Sequence, residues 1–69
     1  MAELLAYNYA EIELDTGLCI GVLTSTAQMS NPCIIEIPVY DDEYVDKYYI
    51  NGEWYEDAEG TIPWTSSLL

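Results

Sequence analysis

The sequence predicts a mostly β fold, a small antiparallel sheet or open barrel made of two hairpins and one edge strand. Three observations predict it. An Asn-Gly pair at positions 51 and 52 separates two short aromatic runs, an Asp-Thr-Gly triplet at 15–17 interrupts alternating apolar and polar residues, and no segment shows a sustained helical period. With 69 residues the chain is near the lower size limit of one domain, so we expect a single domain over residues 1–69 with about four to six strands.

The first hairpin is predicted over residues 8–24. The alternation stops at Asp15 and resumes after Gly17, which is typical of a three-residue loop with Gly17 in the left-handed conformation of a β-bulge. The residues of the predicted apolar face pair as Leu14 with Leu18, Ile12 with Ile20 and Ala10 with Val22. The residues predicted to face solvent are Glu11, Glu13, Cys19 and Gly21. This register puts one face of the hairpin in the core and the other in water.

Residues 24–47 predict a loop, an edge strand and a helical turn, in that order. Residues 24–32 are small and polar and end in Asn-Pro, so we expect the most flexible loop of the chain here. Residues 33–40 have the composition of a strand, but Pro38 lacks the N–H that a central strand must donate, which places this strand at a sheet edge. Residues 41–47 begin with acidic residues, which favour a helix N-terminus, and predict one turn around Tyr44 and Val45.

The second hairpin is centred on Asn51-Gly52, the strongest short-range signal for a type I′ turn, in which both central residues have positive φ. A two-residue loop fixes the register, and the predicted pairs are Ile50 with Glu53, Tyr49 with Trp54, Tyr48 with Tyr55 and Lys47 with Glu56. Rings therefore occur on both faces. We expect one face to pack on the core and the other to meet a partner or a neighbouring loop.

The C-terminal segment, residues 60–69, is expected to be extended. Gly60 and Pro63 interrupt any regular element, whereas Ile62 and Trp64 are apolar enough to fold back on the sheet. The residues after them are expected to stay mobile unless a partner holds them.

The charge balance limits the possible partners. Thirteen acidic residues stand against one basic residue, Lys47, and there is no histidine, for a formal net charge of −12. Binding to a nucleic-acid backbone or to an anionic membrane needs Lys and Arg, so neither is expected, and a basic protein or bound cations fit better. The first ten residues lack the basic region and apolar core of a signal peptide, and no run approaches a membrane span.

No arrangement for catalysis is evident, and the sequence predicts a protein that is not an enzyme and has no cofactor. No nucleophile has a base beside it in the sequence, since histidine is absent. Asp15-Thr16-Gly17 matches the active-site loop of aspartic proteases, but a hairpin turn demands the same residues. Cys19 and Cys33 are too few for a zinc site and are expected to be buried reduced thiols, with one disulfide between them as the alternative.

Two groups of carboxylates could serve one of three purposes. They are Asp41, Asp42, Glu43 and Asp46 in the first group, and Glu56, Asp57 and Glu59 in the second. They form a solvated acidic surface, hold a cation such as calcium weakly, or imitate the phosphate spacing of nucleic acid in the basic groove of an enzyme. The solvated surface is the simplest interpretation, and no metal site is predicted.

The aromatic residues of the second hairpin and the tail are the candidate partner-binding site. The site residues are Tyr49, Trp54, Trp64 and Tyr55. Trp54 is the expected principal contact, with Tyr49 beside it and Trp64 as a second anchor, because aromatic side chains supply large contact areas with few rotors. Two alternatives are the core of a small β domain and contact with a carbohydrate.

Two long stretches of the chain carry a resemblance to a known group of proteins. They are YAEIELDTGLCIGVLTST at residues 9–26 and IIEIPVYDDEYVDKYYINGEW at residues 34–54. In their order of features they resemble small proteins and terminal modules found in the tail and tail-fibre gene clusters of tailed bacteriophages, which lack a counterpart of residues 55–69. The resemblance implies a virion-associated or tail-assembly protein made in the host cytoplasm.

The functional hypothesis combines the charge, the rings and this resemblance. We expect a non-enzymatic structural or interaction protein of a phage virion, in its tail or tail fibre, that binds a protein neighbour through the aromatic hairpin. Partners are other virion proteins or further copies of the chain in a homo-oligomer, with no direct contact to nucleic acid or membrane. The alternative is an acidic DNA mimic that inhibits a basic nucleic-acid-binding protein of the host.

Overall fold

A computed structural model describes residues 6–69 and confirms the mostly β prediction. The five strands are β1 (Tyr7–Ile12), β2 (Cys19–Ser25), β3 (Ile34–Ile37), β4 (Tyr48–Ile50) and β5 (Glu53–Tyr55). The first three form an antiparallel sheet in the order β2-β1-β3, the last two form a hairpin, and the described residues form no closed barrel. The expectation that the first ten residues contain no signal peptide falls partly on residues 1–5, which lie outside the described residues.

The first hairpin departs from the predicted register near its turn. Ala10 pairs with Val22 as predicted, but Ile12 pairs with Cys19 instead of Ile20, because a bulge shifts the register between Glu11 and Ile12. The predicted pair of Leu14 with Leu18 is also wrong, since the N–H of Glu13 donates to the carbonyl of Leu18 at 2.9 Å. Gly17 does have the predicted left-handed conformation, with φ of 78°.

Between the bulge and the turn, the side chains of β2 lie on the opposite face from the one predicted. Cys19, predicted to face solvent, is fully buried, whereas Ile20 is 52% exposed and Leu14 in the turn is 60% exposed. In a strand the side-chain period is two, so one extra residue moves every side chain beyond it to the other face. The predicted apolar face therefore holds only for the part of the hairpin that lies away from the turn.

The third strand is an edge strand, as the position of Pro38 predicted. β3 pairs with β1 on the side opposite to β2 and ends at Ile37, immediately before the proline. The connection from β2 to β3 passes the face of the sheet that carries Tyr9, whose hydroxyl accepts a hydrogen bond from the N–H of Met29 at 2.8 Å. Tyr9 is buried there, apart from the main cluster of buried residues.

The second hairpin has the predicted register and turn. Three of the four predicted pairs are present in the ladder, Ile50 with Glu53, Tyr49 with Trp54 and Tyr48 with Tyr55. The fourth, Lys47 with Glu56, is not part of the ladder, which ends at Tyr48 and Tyr55. Asn51 and Gly52 have φ of 51° and 85°, the positive values that a type I′ turn requires.

Residues 62–64 run alongside β5 and continue this second sheet. Pro63 forms a bridge with Tyr55, and the N–H of Trp64 donates to the carbonyl of Trp54 at 3.0 Å. Trp64 therefore folds back as predicted and packs against the core. The side chain of Ile62, expected to do the same, is 51% exposed.

The two sheets are joined by main-chain hydrogen bonds at the start of β2. The N–H of Cys19 donates to Lys47 and its carbonyl accepts from Asp46, at 2.8 and 2.9 Å, and the N–H of Tyr49 donates to Gly17 at 2.8 Å. A Cβ at Gly17 would collide with the carbonyl oxygen of Tyr49. This close approach, together with the positive φ, requires glycine at the turn of the first hairpin.

The predicted helical turn is a 3₁₀ helix at Asp42–Tyr44, preceded by Asp41 as its N-cap. It delivers Tyr44 to the core, whose buried members are Ala10, Ile12, Cys19, Ile37 and Tyr44. No helix in residues 6–69 has the length and apolar character needed to cross a membrane.

Candidate protein-binding surface

Three of the four predicted site residues lie in one row across the second sheet. Tyr49 faces Trp54 across the β4–β5 pair, and the Tyr55–Pro63 bridge places Trp64 opposite Trp54 on the other side. Side chains that are directly opposite in an antiparallel pair share a face. We call Tyr49, Trp54 and Trp64 the aromatic row. Tyr55 is on the opposite face of this sheet.

Tyr44 from the 3₁₀ turn packs against the aromatic row. Its ring meets Trp54 edge to face at 5.0 Å between centroids and 73°, and meets Trp64 at 4.8 Å and 81°. Tyr49 and Trp54 are also in contact, with centroids 5.0 Å apart. Edge-to-face pairs of this kind contribute about 0.5–1.5 kcal/mol each beyond their buried area. Burial is the main cause of the raised pKa of Tyr44, which is only 3% exposed.

This packing gives the aromatic row a structural role. All three side chains are half-buried and lie against the core cluster, which was the alternative left open for them from the sequence. A substitution such as Trp54→Ala therefore removes core packing together with any contact to a partner. Binding is better tested at the edge of the row than at its centre.

A groove of about 300 Å³ opens along the exposed edge of the two tryptophans. Its lining residues are Glu53, Trp54, Pro63, Trp64 and Thr65. Trp54 and Trp64 belong to the aromatic row, whereas Glu53 and Pro63 belong by register to the opposite face of this sheet. The groove therefore lies where the two faces meet, along the edge of the sheet. A lining of two tryptophans, a proline and one acidic residue suits an extended segment that carries a cationic side chain.

The one basic residue of the chain contacts one of these two tryptophans. The ammonium of Lys47 lies 5.1 Å from the centroid of the Trp64 ring. A cation over the face of tryptophan is attracted by the ring quadrupole, by about 0.5–1 kcal/mol at an exposed site. Trp64 thus already makes one cation–π contact within the molecule.

The opposite face of the second sheet is partly covered by the loop that follows β5. Gly60 lies close to Ile50, where an added Cβ would come within 3.2 Å of that side chain. The hydroxyl of Tyr55 donates to Glu53 at 2.9 Å, and this hydrogen bond is the main cause of the raised pKa of Tyr55. The predicted alternative of a neighbouring loop on one face is therefore what the structure has.

Asp41 holds the C-terminal segment in place. Its carboxylate accepts hydrogen bonds from the hydroxyl of Ser66 and from the N–H of Glu43, the latter at 2.9 Å. The bond from Ser66 is the main cause of the lowered pKa of Asp41, and the bond from Glu43 adds to it. Because Ser66 is two residues after Trp64, this contact fixes the wall of the groove. Sequence reasoning missed it, since nothing local marks a contact between positions so far apart.

A second carboxylate shapes the loop before Pro63. Asp57 accepts from the hydroxyl and the N–H of Thr61 and from the N–H of Ile62, the last at 2.9 Å. These bonds, the one from the Thr61 hydroxyl first, lower the pKa of Asp57. At least one residue of each predicted acidic group is thus engaged in local hydrogen bonding.

The remaining candidate groups have local structural roles. Within residues 6–69 no three histidine, cysteine or acidic side chains are arranged to hold a metal ion. Cys19 and Cys33 are free thiols; Cys19 is buried as predicted, whereas Cys33, also predicted to be buried, is only half-buried. Burial is the main cause of the raised pKa of Cys19. In the Asp-Thr-Gly triplet, Thr16 accepts a hydrogen bond from the N–H of Leu18, and Gly17 donates to the carbonyl of Glu13.

Comparison with known proteins does not assign this surface. The chain matches no protein-family model, no curated protein and no solved structure at a significant level.

Proposed function

We propose that the protein is a non-enzymatic interaction module that binds a cationic segment of a protein neighbour in the groove between Trp54 and Trp64. The observation that carries the proposal is the groove itself, whose lining includes the half-buried Trp54 and Trp64 and one acidic residue, Glu53. Packing on Tyr44 and the Asp41–Ser66 contact hold the rings in place before a partner binds. A preformed surface loses less conformational entropy on binding.

The charge of the chain supports a cationic partner. A net charge of −12 attracts basic segments and repels acidic ones, which favours encounter with a basic surface. Long-range attraction of this kind does not choose a binding site by itself. The tryptophan walls would do so, because a guanidinium or ammonium group gains from contact with an aromatic face as well as from the carboxylate.

We further propose that the neighbour is a protein of a phage virion, in the tail or tail fibre. The sequence resemblance described for residues 9–26 and 34–54 supports this part of the proposal. In such an assembly the module is present in many symmetric copies, and each copy meets a basic segment of the next protein along the tail.

The groove can be tested by fluorescence titration with a short oligo-arginine peptide. The two tryptophans of the chain both line the groove, so their emission reports on it directly. Glu53→Gln removes the one charge among the lining residues and keeps an oxygen that can accept from the Tyr55 hydroxyl, so it should weaken binding by about tenfold. Glu13→Gln removes the same charge from an exposed position on the first hairpin and should weaken binding no more than about twofold. Equal effects of the two substitutions would show attraction by net charge alone and refute the groove.

The location can be tested by mass spectrometry of purified particles of the phage that encodes the chain. Stoichiometric copies in the particle support the virion proposal. Absence from particles, together with salt-sensitive binding to a basic nucleic-acid-binding protein of the host, would replace it with the DNA-mimic function.

A further inference from the structure

The charges of this protein are confined to two parts of the sequence. Of the 14 charged residues, 13 acidic and one basic, every one lies within residues 3–15 or 36–59. Residues 17–35, which include all of β2 and the start of β3, carry no charged side chain. Two copies with a net charge of −12 repel each other, so a contact between copies is most favourable through this uncharged segment.

The outer edge of β2 belongs to this uncharged segment. In the central strand, the N–H of Ile12 donates to Cys33 on the β3 side, whereas the N–H of Glu13 donates to Leu18 on the β2 side. Main-chain groups alternate in direction along a strand, so Tyr9 and Glu11 also point towards β2. Their partners in β2, Leu23 and Gly21, point inward in return.

It follows that Val22 and Thr24 present their N–H and C=O groups to the outside of the sheet. Among residues 6–69, no main-chain hydrogen bond outside the strand ladders involves the N–H of either residue, and the only strand paired with β2 is β1, on the other side. Open edges are usually protected by charged side chains, by proline or by a bulge. β2 has a bulge near Cys19, but the rest of the strand, Gly21–Ser25, has neither charge nor proline.

The other edge of the same sheet is less suited to pairing. On β3 the outward N–H of Ile34 is already bonded to the carbonyl of Asn31 at 2.9 Å. The next outward residue is Glu36, which adds a negative charge, and Pro38 follows directly after the strand. Pairing of β2 of one copy with β3 of the next, which would build an open chain of copies, is therefore disfavoured. The remaining possibility is that β2 of one copy pairs with β2 of another.

We propose that two copies of this chain pair through their β2 strands, antiparallel and about a two-fold axis at Leu23. Val22 of each copy then lies opposite Thr24 of the other, and each such pair exchanges two main-chain hydrogen bonds. The paired side chains are uncharged, and the two β-branched residues suit a strand interface. The pairing joins two three-stranded sheets into one sheet of about six strands, a common size.

Salt distinguishes this contact from the groove. Added salt screens the repulsion between two acidic copies and strengthens their association, whereas it weakens binding of a cationic segment at Trp54 and Trp64. The two proposals therefore fail independently, because the pairing is measured on the purified chain without any partner.

The pairing can be tested by sedimentation equilibrium over a range of concentrations and salt. The mass should rise from that of one chain, 7.8 kDa, to twice that value as concentration or salt increases. Thr24→Pro removes an outward N–H that the dimer needs and should abolish the dimer. The variant should still fold, because proline is tolerated where the N–H faces away from the sheet. Thr24→Val is the matched control. Both substitutions remove the hydrogen bond from Thr24 to Asn8, but only the valine variant keeps the N–H and should still dimerise.

Amide exchange of the unmodified chain provides a second measurement, which does not depend on the folding of any variant. The N–H groups of Val22 and Thr24 should gain protection as concentration rises, by the same factor as the dimer fraction. Those of Gly21 and Leu23, already bonded to β1, should be protected throughout. A mass of one chain under all conditions, a dimer that persists in Thr24→Pro, or a dimer that leaves Val22 and Thr24 unprotected would overturn the proposal.

Discussion

The two hairpins of this molecule obtain their register in different ways. In the β4–β5 hairpin the Asn51-Gly52 turn has only two residues, both with positive φ, and the pairing continues from it without interruption. In the β1–β2 hairpin the turn is longer, and a bulge at Ile12 shifts the register by one residue. A short turn with strict φ requirements fixes a register locally, whereas a longer one leaves it to be decided by packing.

The packing that decides the first register comes from the second hairpin. The bulge turns Cys19 into the core and lets its main chain bond to Asp46 and Lys47, next to the contact between Gly17 and Tyr49. We call these contacts of Gly17 and Cys19 with residues 46–49 the joint. Tyr44 packs beside it, between the core and the two tryptophans. The difference between the hairpins therefore identifies the joint as the place where the fold is most sensitive to substitution.

The largest effect is expected from Tyr44→Ala, which removes the ring that both hairpins share. Replacing a buried aromatic residue by alanine costs about 3–5 kcal/mol. A domain of this size has a total stability of only about 3–5 kcal/mol. We therefore expect the variant to be largely unfolded, with loss of the near-ultraviolet circular dichroism of the tryptophans.

Tyr44→Phe is the control for this prediction. It keeps the ring and its edge-to-face contacts and removes only a hydroxyl, so its cost should be about 1 kcal/mol or less. Urea denaturation of the two variants separates ring packing from any role of the hydroxyl. A fully folded Tyr44→Ala protein would mean that the hairpins are held together by the main-chain bonds alone.

The second largest effect is expected from Gly17→Ala. The residue has φ of 78°, and an added Cβ would meet the carbonyl oxygen of Tyr49, so backbone strain and a steric conflict act together. The backbone conformation costs about 1 kcal/mol and the steric conflict about 1–3 kcal/mol, so we expect a loss of roughly 2–4 kcal/mol in the free energy of unfolding. Urea denaturation followed by far-ultraviolet circular dichroism would measure it.

Gly52→Ala is the matched control, because it isolates the steric part. Gly52 also has positive φ, 85°, but a Cβ there meets no atom within 4 Å. Its cost should be about 1 kcal/mol, that of the backbone conformation alone. If the two substitutions cost the same, the close approach of the first turn to β4 contributes nothing to stability, and the proposed joint would have to be abandoned.

The parts of the fold that the sequence predicts are those with local causes. The type I′ turn, the left-handed Gly17, the acidic cap before Tyr44 and the strand end at Pro38 each follow from the conformational demands of one or two residues. The bulge has no comparable local signal. Alternation of apolar residues continued through Ile20, and only the bonds of Cys19 to a segment far along the chain favour the other arrangement.

In the candidate site, too, the sequence predicts the features with local causes and misses those that depend on distant contacts. Rings on both faces of the second hairpin marked the region, and the register placed Tyr49 opposite Trp54. The position of Trp64 beside Trp54, and the groove between them, depend on how residues 62–64 return along β5. The Asp41–Ser66 contact that holds this return joins positions distant in sequence, and polar residue types alone do not indicate their pairing.

The smallest effect is expected at the Asp41–Ser66 contact and appears only in acid. The pKa of Asp41 is lowered in the folded chain from an ordinary value of 3.8, so its carboxylate stabilises the fold above that pH. The contribution is lost as pH falls below 3.8 and through the folded pKa. In Ser66→Ala the lowering is smaller, so the stability difference between the original chain and this variant should be constant from neutral pH to about pH 4 and then shrink. Urea denaturation at each pH would measure it, with Ser67→Ala as the control for the loss of a hydroxyl from the same segment. A difference that persists unchanged to the lowest pH would mean that the Ser66 hydroxyl stabilises the tail without the charge of Asp41.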